Sequence, residues 1–316
     1  MVGNILAKIF AEGLVTLYTV VVRTSSFSPL TQSAFRSAII PLVLFPFLLY
    51  FGVPGVSNWW SYIFSLPWIG IGIVNLLHII SSFEGFKILP TGPAVTLYFT
   101  YPLMAVILSV LLLGRSITYN SIIGIIVAFV GTILLQSNHI DNGDKNGNQS
   151  DNKLTMNLPG IGWILLSAFT EAILYLFVIS GGSVYNNQFF TVSALYFWAG
   201  VISLLYLLYL YLPIGIVKED REDWKRVGVN KTQDEPPLVS YDTLYLLLAN
   251  LALGVGGKVL LYSSVRGLTT GSYAALSYTG IVFAYLYGLF MGDGIKTNDV
   301  IASLLITFGS IYGGVL

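Results

Sequence analysis

Cysteine is absent from the 316 residues, which removes disulfides, thiolate metal sites and cysteine nucleophiles together. Histidine is almost absent. His78 and His139 are the only 2, too few for a His-rich metal cluster, so neither a metal nor another cofactor is expected. Charged residues make up only 9 % of the chain, against about 25 % in an ordinary soluble domain. Basic and acidic residues balance at 15 each, so nothing points to nucleic acid or a strongly anionic surface as partner. What the chain does have is apolar side chains, at 55 %. So few charges cannot cover a water-facing surface, and the composition reads as an α-helical, multi-pass integral membrane protein with the lipid bilayer as its solvent.

A spanning helix needs about 20 mostly apolar residues. Ten such runs are present, roughly 4–23, 35–52, 66–85, 93–113, 118–136, 158–179, 190–212, 241–262, 271–291 and 298–316. The first carries Lys8 and Glu12, unlike the uncharged core of a cleaved secretory signal, and is read as a retained span. Barrel strands alternate over about 10 residues. These runs are longer and evenly apolar, and backbone in lipid must satisfy its own hydrogen bonds, so helices are expected. Two polar segments interrupt the pattern, a linker at 137–156 and a loop at 217–237. The linker divides the spans five and five.

An odd number of crossings leaves two fused units oppositely oriented, the arrangement of many secondary transporters. Residues 86–102 align with 265–281: Lys87 meets Arg266, Leu89 meets Leu268, Thr91 meets Thr270, Gly92 meets Gly271 and Thr100 meets Thr279. After a one-residue shift, Gly114 meets Gly292, Asn120 meets Asn298 and Gly131 meets Gly309. FAEGLVTLY (10–18) lies over FTEAILYLF (169–177), which sets Glu12 on Glu171. The expected fold is an all-α membrane protein of ten transmembrane helices in two inverted five-helix repeats, 1–136 and 157–316.

At these residues the sequence resembles the EamA-type branch of the drug/metabolite transporter superfamily. The stretch from Gly85 through Leu135 is similar to that family's fourth and fifth helices, and TQSAFRSAIIPLVLF, with Arg36, is similar to its second. One departure is Arg115, where the family often has an acidic residue; Asp293 stands near the equivalent place in the second half. The fingerprints of nucleotide-sugar carriers and the Lys/Arg pattern of triose-phosphate carriers are missing, so no substrate class transfers. The resemblance implies a cavity lined by the first, third, fourth, sixth, eighth and ninth helices, and cytoplasmic termini.

An ionisable side chain at mid-bilayer costs about 2.5–3.5 kcal/mol on insertion scales, so such groups face a cavity or a partner. Lys8 and Glu12 share a helical face at i,i+4 and can pair; Thr16, Thr19 and Arg23 continue that stripe. Ser167, Glu171 and Tyr175 form another, and Asn75, His78 and Ser82 a third. Lys258 stands beside Gly254, Gly256 and Gly257, and the repeat offset sends His78 to Gly257. Glu12, Glu171, Lys258, His78 and Lys8, with the aromatic candidates Tyr98 and Tyr278 (Tyr101 and Tyr273 beside them), are therefore the expected substrate or proton sites.

Plainer roles stand beside these: an intrahelical Lys8–Glu12 pair, a packing histidine, a Lys258 that snorkels to the interface, a structural Arg36 near the membrane surface, and aromatics that only pack. Gly124, Ala128, Gly131, Gly309 and Gly313 allow close helix contact and leave room for a homodimer face. The glycines at 254–257 could also loosen their helix.

The leading functional expectation is alternating-access transport of a small organic solute, such as an amino acid, metabolite or drug, with a proton as candidate coupling ion. A membrane-embedded enzyme would need a nucleophile–base set or metal cluster, and no catalytic motif is present; a receptor or scaffold would leave the repeat unexplained. Orientation is contested. Only Lys8, Arg115, Lys258 and Arg266 lie on the amino-terminal side, and the other eleven of the 15 basic residues make the opposite side cytoplasmic by the positive-inside rule. The sequons at Asn148 and Asn230 also fall on that opposite side, where the resemblance implies the non-cytoplasmic face.

Overall fold

The computed structural model describes residues 2–24, 29–51, 59–89, 91–140, 158–180, 187–211, 241–265, 267–290 and 297–315. The loop at 217–237, the sequons, Asp293 and most of the 137–156 linker lie outside the described residues.

Every regular element among the described residues is a helix: α1 (Val2–Thr24), α2 (Pro29–Phe51), α3 (Trp59–Ile63), α4 (Leu66–Ile88), α5 (Thr91–Tyr98), α6 (Tyr101–Leu113), α7 (Tyr119–Ile140), α8 (Leu158–Ser180), α9 (Gln188–Tyr211), α10 (Tyr241–Val265), α11 (Thr270–Ser277), α12 (Thr279–Phe290) and α13 (Thr297–Val315). Within them, six stretches are long and apolar enough to cross a membrane: Pro29–Tyr50, Leu66–Ile88, Ala94–Leu113, Leu158–Ser180, Gln188–Tyr209 and Leu248–Val265. Two shorter apolar helices, Tyr119–Leu134 and Val300–Val315, accompany them.

Three departures of the helix boundaries from the sequence reading bear on the fold around the site. The apolar runs at 93–113 and 271–291, expected as single helices, are each divided. At the first break the Thr100 amide bonds three residues back to the Leu97 carbonyl, the Thr100 hydroxyl takes the same carbonyl, and Pro102 has no amide hydrogen to donate. At the second, the Tyr278 amide bonds back to Ala275 and the Thr279 hydroxyl to Leu276. Threonine bonding to its own helix backbone bends helices even without proline. Third, α7 runs on through Ile140 into the first residues of the expected linker.

The helices pack in four extensive pairs, α7 with α13, α1 with α10, α2 with α9 and α4 with α8. Small residues set the closest contact. A Cβ at Gly309 on α13 would stand 2.6 Å from the Ala128 amide nitrogen on α7, well inside van der Waals distance. The small-residue faces of α7 and α13 thus meet within the chain and are not left over for a dimer face, as expected earlier. Opposite faces of the same helices expose Ile126, Ile133, Leu304 and Phe308, apolar surface suited to lipid. Nor do the glycines at 254–257 loosen α10, which is continuous through them. They make room instead: a Cβ at Gly257 would lie 2.9 Å from Val15 Cγ2 on α1.

Candidate functional site

Five helices, α1, α4, α6, α8 and α10, bring the two carboxylates and their partners together. On α1, Lys8, Glu12 and Thr16 follow one another at i,i+4, so burying that face buries all three. The Lys8 ammonium donates to Glu12 Oε1, and the Tyr101 hydroxyl on α6 donates to the same oxygen at 2.9 Å. Lys8 Nζ also stands 3.5 Å above the ring centroid of Tyr273, within cation–π range. Tyr273 in turn stacks on Tyr175 with centroids 4.3 Å apart. Further along α1, Thr16 Oγ1 donates to the Gly280 carbonyl at 3.1 Å, just beyond the α11–α12 break.

Glu171 is held between helices. Lys258 Nζ on α10 reaches both carboxylate oxygens, at 2.7 and 2.6 Å, and His78 Nε2 on α4 lies 3.1 Å from Oε2. The other imidazole nitrogen, Nδ1, lies 3.1 Å from the Ser167 carbonyl and 3.3 Å from its hydroxyl. A hydrogen must lie between Nε2 and the carboxylate, and another between Nδ1 and the Ser167 carbonyl if that contact is a hydrogen bond. Either Ser167 supplies its hydroxyl hydrogen to a neutral ring, or the His78–Glu171 unit carries one additional proton.

Lys258 is buried and paired, so it does not snorkel to an interface. Tyr98 joins the two clusters through its ring, 6.4 Å from the His78 ring and 5.2 Å from that of Tyr101. Tyr278 is different. It is fully buried, but its hydroxyl has no hydrogen-bond partner and its contacts are apolar, among Ala274, Ala275 and Ile281, at the α11–α12 break. Seven residues were expected at the site; six are linked through ion pairs, hydrogen bonds and ring contacts, and Tyr278 shares only the apolar cluster of Tyr98 and Tyr101.

Arg36 lies deep in the bundle, where sequence suggested a structural tie near a membrane surface. Only 3 % exposed, its guanidinium is 4.8 Å from the Tyr18 ring centroid and donates to the Tyr196 hydroxyl at 3.1 Å. The signal was present in the Gln32–Arg36 spacing on α2, which faces Asn250 and Gly254 on α10; the Asn250 side chain lies 3.5 Å from that of Gln32.

A protein of solved crystal structure is similar in fold, with a TM-score of 0.67 over 99 % of this chain and 98 % of its own at 18 % identity. No curated protein matches the chain. Residues 2–137 match the EamA-like transporter family, and with its apolar helices the chain is a multi-pass integral membrane protein.

Proposed function

We propose that this protein carries a small organic solute across its membrane by alternating access between two inverted five-helix halves, 1–136 and 157–316, giving ten spans in all. The observation that carries the reading is the pair of aligned carboxylates, Glu12 on α1 and Glu171 on α8, which share one buried cluster and each have a lysine partner. The packing supports it. In the alignment α1 answers to α8 and α4 to α10, so the α1–α10 pair is the counterpart of α8–α4. The pairs α2–α9 and α7–α13 each join an element to its own counterpart, as elements beside a pseudo-two-fold axis do. The helix breaks agree too: α5 over Thr91–Tyr98 and α11 over Thr270–Ser277 begin and end at aligned residues.

Glu171 with His78 is the candidate proton site of this mechanism, and protonation requires Lys258, on another helix, to let go of the carboxylate, because an adjacent cation otherwise keeps it ionised. Glu12 is less suited to the task, because Lys8 one turn away stays with it on the same helix. The cluster is closed to solvent here, so a cycle must open it to one side at a time. The test is uptake into proteoliposomes of a panel of radiolabelled amino acids and organic acids, with and without a pH gradient. Glu171→Gln should abolish gradient-driven accumulation and keep exchange. Accumulation by Glu171→Gln equal to wild type excludes Glu171 as the proton site, and no flux of any solute in wild type counts against transport itself.

A further inference from the structure

The buried ionisable groups do not balance. Lys8, Arg36 and Lys258 are buried cations, and Glu12 and Glu171 are the buried carboxylates among the described residues. Lys8 is paired to Glu12 and Lys258 to Glu171, which leaves Arg36 with no ion-pair partner there. Its Nε has no hydrogen-bond partner either. Rings surround it, with Tyr18 at 4.8 Å and Phe83 and Tyr196 at 5.9 Å, and rings offset part of the desolvation without supplying a counter-charge. A guanidinium cannot shed its proton to escape burial, as a lysine can.

The surroundings are shaped for this group. A Cβ at Gly254 would stand 2.6 Å from Arg36 Nε and closer still to Cζ, so a larger residue at that place would push the guanidinium aside. Gly254 lies one helical turn before Lys258 on α10, which sets Arg36 next to the Lys258–Glu171 pair on the same face. An unneutralised, planar, forked donor beside a paired site matches an oxyanion, which accepts two parallel N–H bonds from one guanidinium.

We infer that Arg36 is the anchor for an oxyanion group, a carboxylate or a phosphate, on the transported solute. This rests on the transporter reading and narrows its substrate class: the solute brings the counter-charge that Arg36 lacks among the described residues. Glu171 and Lys258 then read the remainder of the molecule, and a solute with an oxyanion at one end and a polar group at the other spans both.

The experiment measures binding without flux. Purified wild type in detergent is titrated with succinate, inorganic phosphate and choline at constant ionic strength, and thermal unfolding is followed by tryptophan fluorescence. Succinate or phosphate should raise the midpoint saturably, and which of them does so identifies carboxylate or phosphate as the anchored group. Choline should not. Arg36→Gln should weaken the effect about tenfold or more, as expected for loss of a hydrogen bond to a charged group. Gly254→Ala should do the same with the charge count unchanged, because the added methyl displaces the guanidinium, and it serves as the test if Arg36→Gln fails to fold.

No stabilisation of wild type by either oxyanion beyond that of choline overturns the inference. So does an Arg36→Gln protein that binds them as wild type does. Binding without flux in proteoliposomes would overturn the transport reading alone, and flux of a cationic or neutral solute without oxyanion binding would overturn this one alone.

Discussion

The excess buried cation makes the ion pairs of the cluster unequal in a measurable way. Consider Glu171→Gln, Lys258→Met and the double variant. In wild type Lys258 Nζ meets both carboxylate oxygens of Glu171 at 2.7 and 2.6 Å, and both side chains are almost fully buried. Removing one member of a buried pair costs about 3–5 kcal/mol, chiefly because the other charge is stranded. The two single losses differ. Lys258→Met leaves Glu171 with His78 at 3.1 Å and Arg36 close by, in a core whose cations and carboxylates now balance. Glu171→Gln strands Lys258 in a core that already holds one cation too many. Glu171→Gln should therefore fall near 5 kcal/mol and Lys258→Met near 3, within the range for a broken buried pair of about 3–5 kcal/mol. The double variant should recover to within about 2 kcal/mol of wild type, since replacing a whole buried pair with uncharged side chains is often close to neutral. The assay is unfolding by titrated SDS in mixed micelles, read from tryptophan fluorescence. Equal single losses, the reverse order, or a coupling below about 1 kcal/mol would refute the argument.

Three further outcomes follow from the geometry. Tyr101→Phe removes the 2.9 Å hydrogen bond to Glu12 and should cost about 1.5–3 kcal/mol of stability in the same assay, the range for hydrogen bonds to charged groups. Gly309→Val, which forces side-chain atoms against the α7 backbone, should cost about 1–3 kcal/mol or more, while Leu304→Val on the exposed face of the same helix should change stability by less than about 0.5 kcal/mol. Because the chain has 0 cysteines, single cysteines placed at Gly3 and at Ser150 are unique labels; the five proposed crossings between them predict that a membrane-impermeant maleimide reaches them from opposite sides.

The local parts of the site were legible in sequence, and the parts made by tertiary contact were not. Lys8 and Glu12 pair because i,i+4 spacing puts them together in any helix, whatever the fold around them. Glu171, Lys258 and His78 come from three helices, and sequence joined them only through the repeat offset, which superposes His78 on Gly257 beside Lys258. Arg36 looked structural because its partners are rings and a glycine, residue types so common in apolar helices that none stands out. The break at Thr100 was foreshadowed by Pro102, whereas the one at Tyr278 has no proline and arises from Thr279 turning back on its own helix. Small residues on α7 and α13 signalled close contact correctly, but spacing alone cannot say whether the neighbour belongs to the same chain.

The pairing of charges has a consequence for how such a bundle could part. Lys8 and Glu12 sit on one helix, and Lys258 and Glu171 sit on α10 and α8, within the same proposed half. The contacts that cross between the proposed halves are of another kind: an imidazole against Glu171, the Tyr196 hydroxyl against Arg36, the Tyr273 ring beneath Lys8, and the Thr16 hydroxyl on a backbone carbonyl. The seam is thus stitched with groups that water can replace, while each lysine–carboxylate pair travels as luggage with its own side. Opening along that seam would wet the cluster without tearing either lysine from its carboxylate, and among the described residues the buried charge it would uncover alone is Arg36.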